Sequence, residues 1–85
     1  MTEAVILIDA ASATVEKRNI AFNALVEGET HKFLVSIADI EHFGVERAKL
    51  DPAGSVLAIS ANLAVLIEAK MRRNELLPTT RLAPL

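Results

Sequence analysis

The chain has 85 residues, 52% of them hydrophobic and 24% charged, which is enough apolar material for one compact core and leaves no room for a second domain. With no cysteine and two histidines, disulfides, thiolate nucleophiles, iron–sulfur clusters and cysteine-based zinc sites are excluded, and no cofactor or metal is expected. A formal net charge of −2, and three phenylalanines (Phe22, Phe33, Phe43) without Trp or Tyr, offer neither bulk attraction to nucleic acid nor a stacking platform for single strands.

Met1-Thr2-Glu3 is acidic where a secretory signal would be basic, and Pro52 to Ile67, the longest uncharged stretch, is shorter than the roughly 20 apolar residues of a membrane span. A cytoplasmic protein with a buried helix and no membrane anchor is the expectation. Ala4-Val5-Ile6-Leu7-Ile8 is a short aliphatic run without polar alternation, which predicts a first strand covered on both faces and ended by Asp9. Residues 9–14 are small and polar enough for a loop.

Ile20, Phe22, Ala24 and Val26 alternate with other residues, as do Phe33, Val35 and Ile37, around an interruption at Glu27-Gly28-Glu29-Thr30. The pattern predicts a β-hairpin. A two-residue loop at Glu27-Gly28 pairs Phe22 with Phe33, and a four-residue loop pairs Ala24 with Phe33; a plain three-residue loop throws one apolar set to the wrong face. The reverse face carries Ala21, Asn23, Leu25, Lys32 and Leu34 and is expected to be solvated or weakly covered.

Ser36-Ile37-Ala38-Asp39 fits a capping box, and Gly44 fits a left-handed stop, so a short helix is predicted between them with Ile37, Ile40 and Phe43 as its buried stripe. Asp51-Pro52, or Ser55 as a second cap, opens a long helix that runs to about Asn74 or Leu76 before Pro78. At 100° per residue, Val56, Ile59, Leu63, Leu66, Ile67 and Met71 share one face and are expected to pack on the sheet. Thr79 to Leu82 is read as an added edge strand, with a simple tail from residue 76 as the alternative.

The other side of that helix carries Leu57, Ala58, Ala61, Ala64, Val65 and Ala69, where a small monomer would usually show Glu, Lys and Gln. Intramolecular partners are nearly used up in a chain of this length, so self-association is the preferred cover. Alanine tolerated in the open as a good helix former is the alternative.

Catalytic chemistry finds little support. His31 beside Glu29 and His42 beside Glu41 lack the helical spacing of a metal pair and read as surface histidines, a ligand site around His31, Glu29 and His42 being the lesser reading. No Gly-x-Ser-x-Gly turn occurs, and Gly28, Gly44 and Gly54 are too dispersed to cradle a phosphate. Asp9 has the look of an acid at a strand end, but with no second carboxylate or glycine loop it reads better as a turn former. Lys70, Arg72, Arg73 and Arg81 form a weak basic patch; as a nucleic-acid footprint it would bind weakly and without specificity, and it reads better as solvated charge completing the helix dipole.

Phe22-x-Ala24-x-Val26-x-Gly28, Val35-Ser36 leading into Ile40-Glu41-His42-Phe43-Gly44, and Ala61-Asn62-Leu63 opening into Ile67 and Ala69 together resemble a group of short bacterial proteins known as domain of unknown function 1488. The resemblance covers roughly residues 20–70 and departs in lacking an aromatic-rich opening and in carrying Leu63 where an Arg is common. It implies a small α+β fold in a bacterial cytoplasm and carries no functional residue with it.

The expected architecture is α+β: a three- or four-stranded, mainly antiparallel sheet with the long helix on one face and the short helix at an end. The expected role is a non-enzymatic homodimeric protein-interaction module, with an unidentified protein as a further partner. A weak nucleic-acid accessory protein and a small-ligand binder are the alternatives.

Overall fold

A computed structural model describes residues 5–83. The chain forms β1 (Ile6–Glu16), β2 (Asn19–Val26), β3 (Glu29–Ser36), α1 (Ile37–His42), α2 (Pro52–Ala58), α3 (Ser60–Arg72) and β4 (Thr79–Leu82). The strands make one sheet in the order β1-β2-β3-β4. β1 and β2 are antiparallel, as are β2 and β3, whereas β4 lies parallel to β3. The parallel pairing follows from the helices between them, since a chain that returns to the same sheet edge through a crossover arrives in the same direction. The fold is α+β, with the sheet as one layer and the helices packed against it.

The β2–β3 hairpin takes the tighter of the two loops its pattern allows. Glu27 and Gly28 sit at φ 52° and 83°, the pair of left-handed residues of a type I′ turn, whose twist matches that of the strands. Phe22 then faces Phe33 and Ile20 faces Val35. The two phenyl rings stack with centroids 5.7 Å apart, and both side chains are buried with Ile20, Val35, Ile40, Val56, Leu63 and Ile67 in the core.

β1 departs from expectation in length and in burial. It does not end at Asp9 but continues to Glu16, with an irregularity between Asp9 and Thr14 in place of the predicted loop. Four residues, Ala10 to Ala13, stand opposite the single residue Phe22, so the alanine-rich stretch is an irregular bulge of three extra residues within a strand. The Asn23 N–H donates to the Ser12 hydroxyl at 2.8 Å, and that hydroxyl donates to the Asp9 carbonyl at 2.6 Å. Ser12 thereby fills the ladder bond that the bulge interrupts. Nor is the strand covered on both faces: it is an edge strand, with Val5 56% and Leu7 58% exposed. Ala4 of the expected strand lies outside the described residues.

The single long helix is two helices. α2 and α3 meet at Ile59, whose φ of −112° and ψ of 19° break the helical path, and the axes bend by 74°. Ser60 and Asn62 follow the break, two residues whose side chains compete with the backbone for hydrogen bonds and weaken a helix interior. The bend lets α2 lie along β1 while α3 reaches across to β4. The projected stripe is nonetheless buried at Val56, Ile59, Leu63, Leu66 and Ile67, and Met71 is partly buried. No single helix among the described residues is long and apolar enough to cross a membrane.

The helix ends follow local chemistry. The Ser36 hydroxyl accepts from the Asp39 N–H at 3.0 Å at the start of α1, and Gly44 at φ 97° closes its end by donating to the Glu41 carbonyl. Asp51 caps α2 by accepting from the Gly54 N–H at 3.0 Å, with Pro52 in the first turn. Ser55 is not a cap: it is buried and donates back to the Asp51 carbonyl at 2.7 Å. α3 stops at Arg72, short of Pro78, because Asn74 at φ 56° turns the chain. Asn74 and Glu75 donate to the Met71 and Lys70 carbonyls, the pattern of a Schellman cap.

Candidate functional site

Of the six residues on the outward side of α2 and α3, Leu57, Ala58, Ala61 and Val65 are exposed, and Ala64 and Ala69 are partly so. Leu57 is 67% and Val65 60% exposed. The bend at Ile59 sets Leu57, Ser60, Ala61 and Ala64 against Ile6, Leu7, Ile8 and Ala10 of β1, and between them runs an open groove of about 330 Å³. The apolar surface is therefore a wall made of two elements, helix above and strand below. Its helical part carries no ionisable side chain between Pro52 and Ile67.

An unbroken aliphatic run reads as a strand buried on both sides, which hides the strand half of this wall; Leu7 lines its rim, with Leu25 of the reverse face as its cross-strand partner. A contrary signal lies downstream: Thr14-Val15-Glu16 alternates and leads into Lys17-Arg18, which is the turn into β2. Extending the strand to that turn makes β1 too long and too polar at its end to sit inside a small sheet.

The reverse face of the sheet is solvated. Lys32 and Glu16 form an ion pair at 2.9 Å, and Arg81 donates to the Asn19 side chain at 3.0 Å. These contacts span the strands next to Ala21 and Leu34, and Ala21 is buried. Leu7 and Leu25, a cross-strand pair, remain open on this face. Asp9 stands on it too, paired with Asn23 in mid-strand, so it is not the turn former its position suggested.

Lys70, Arg72 and Arg73 stand together at the end of α3, and Arg81 lies on β4. Lys70 lies 3.7 Å from Glu75, and Arg72 donates to Glu68 at 2.6 Å. Arg81 belongs to β4 and the reverse sheet face, away from the end of α3. Arg73 makes no ion pair among the described residues.

His31 lies near the start of β3 and His42 at the end of α1, which begins where β3 stops, so the two are held toward opposite ends of that strand. His31 packs beside Phe33 and has Nδ1 3.2 Å from the Leu77 carbonyl oxygen. A carbonyl only accepts, so Nδ1 carries a proton in this contact. Nε2 faces Glu29 at 3.7 Å. The imidazole thus ties the segment before β4 to the hairpin. Among the described residues no group of three or more His, Asp and Glu is placed to hold a metal ion.

No family model, no curated protein and no solved structure matches this chain.

Proposed function

We propose that this protein is a non-enzymatic homodimeric interaction module that associates through the apolar wall of α2, α3 and β1. The observation that carries the reading is the groove between β1 and the helices, where Leu7 and Leu57, each more than half open to solvent, meet Ile6, Ile8, Ala10, Ala61 and Ala64. Isolated exposed leucines are ordinary, whereas a contiguous apolar surface on a small domain marks a place of contact. A bacterial cytoplasmic setting and the resemblance to domain of unknown function 1488 belong to the same proposal. The reading as a nucleic-acid accessory protein is weaker, because Lys70 and Arg72 face carboxylates and Arg81 points elsewhere.

Size-exclusion chromatography with light scattering and refractive-index detection tests the proposal, with absorbance recorded at about 260 nm as a check for cargo, since a chain without Trp or Tyr absorbs little in the near ultraviolet. At high micromolar concentration the expected mass is twice 9.2 kDa with no added absorbance. A mass of 9.2 kDa at every concentration overturns it, and a monomer that carries absorbance favours a ligand or nucleic-acid reading instead.

A further inference from the structure

The two edges of the sheet are built differently. β4 has four residues, follows Pro78 and carries Arg81, all devices that discourage another strand from pairing there. β1 has no such protection over Val5-Ile6-Leu7-Ile8-Asp9, a straight segment with Asp9 as its single charge, before the bulge begins at Ala10. The Glu27 N–H donates to the Val5 carbonyl at 3.0 Å, so Val5, Leu7 and Asp9 turn their backbone groups toward β2. By the alternation of an antiparallel ladder, Ile6 and Ile8 turn theirs to the open edge.

We infer that two copies of this chain join β1 to β1 in antiparallel fashion, making one continuous eight-stranded sheet with a two-fold axis at Leu7. The inference rests on the homodimer reading and says how the dimer is made. An open ladder accepts only an extended strand, and a second copy supplies one of matching length. Centring the axis on Leu7 pairs Ile6 with Ile8 of the other copy and uses the whole straight segment, while a centre at Ile6 or Ile8 gives up part of it or runs into the bulge. The pairing sets Leu7 against its symmetry mate beside Leu25, so an apolar strip crosses the reverse face. Asp9 falls opposite Val5 of the other copy and avoids its own mate.

On the helical face the same axis brings the two α2 helices together over the joined strands, where the small Ser60, Ala61 and Ala64 leave space for a Leu57 side chain from across the axis. The area is that of a small but real interface. Val5, Leu7, Leu57 and Val65 together expose on the order of 250 Å² of apolar surface per protomer. The groove lining and the free backbone of β1 add to it, against about 800 Å² per partner in a standard interface of which about 57% is apolar. A micromolar dimer is the expectation.

A single cysteine in this cysteine-free chain tests the geometry. In the proposed pairing the two Leu7 Cα atoms stand about 4.5 Å apart as a non-hydrogen-bonded pair, within disulfide range. The two Leu25 Cα atoms, three strand spacings apart, stand at about 14 Å. Leu7 and Leu25 are both partly or largely open to solvent, and far-ultraviolet circular dichroism verifies that each variant is folded. Under mild oxidation L7C is expected to form a covalent dimer at least ten times faster than L25C, and V65C reports on the helical face. A wild-type dimer by light scattering in which L7C cross-links no faster than L25C, or in which V65C alone cross-links, overturns β1 pairing and leaves the homodimer standing. A wild-type monomer overturns both.

Discussion

The most informative single positions are those where a side chain completes a backbone path. At the start of α2, Asp51 and Gly54 form a unit: the carboxylate caps the Gly54 N–H, and a Cβ placed on Gly54 would collide with that carboxylate. Asp51→Ala is therefore expected to cost about 1 kcal/mol through loss of the cap. Gly54→Ala alone should be close to neutral, because the gain of about 0.5–1 kcal/mol from replacing a helical glycine is offset by displacement of the cap. In the D51A background the same change should show its full stabilisation, and urea unfolding followed by circular dichroism of the four proteins measures the coupling. The cap was legible in Asp51-Pro52 itself. Its competition with Gly54 was not, since it depends on where the Asp51 side chain comes to rest.

At the scale of elements, the hairpin was readable because its two alternating apolar sets admit only loops of even length, and Gly28 supplies one of the two left-handed residues a type I′ turn needs. Glu27 supplies the other at φ 52°, a conformation that disfavours most L-residues but suits asparagine. Glu27→Asn is expected to raise stability by about 0.5–1 kcal/mol, read as a higher urea midpoint with an unchanged slope. The change gives up the Val5 N–H contact to the Glu27 carboxylate at 3.2 Å, which lies at the surface. β1 and the long helix were misread for one reason: local pattern registers which residues are apolar and not how far an element runs straight. The bulge from Ala10 to Ala13 is held by Ser12 reaching Asn23, eleven residues away. The break at Ile59 lays α2 along β1 and lets α3 run from β1 across to β4. Ser12 and Ser60 lie within the segments they shape, but what they act against, Asn23 in one case and the sheet beneath the helices in the other, lies outside them.

At the scale of the whole molecule, Leu7 and Leu57 expose apolar surface on a wall beside the open edge of the sheet, and Leu50 and Leu77 do so outside it. If that wall is closed by a second copy, folding and association are linked, and the thermal midpoint rises with protein concentration. Circular dichroism melts across a hundredfold dilution series are expected to show the shift, while a concentration-independent midpoint would speak for a self-sufficient monomer. The α+β class, the choice between two hairpin registers, the cap at Ser36, the choice between Asp51 and Ser55 as the next cap, and the two-sided apolar character of residues 52–69 were legible from residue order alone, because these depend on periodicity and on contacts only a few residues apart. That β4 lies parallel to β3, that β1 is an edge strand, that Leu57 shares a groove with Leu7, and that Arg81 joins the reverse sheet face while Lys70, Arg72 and Arg73 stay at the end of α3 came from the packing of distant segments alone. Each of these depends on which distant segments come to lie side by side, and in a sheet that is settled by strand order and by the direction in which the helices return the chain.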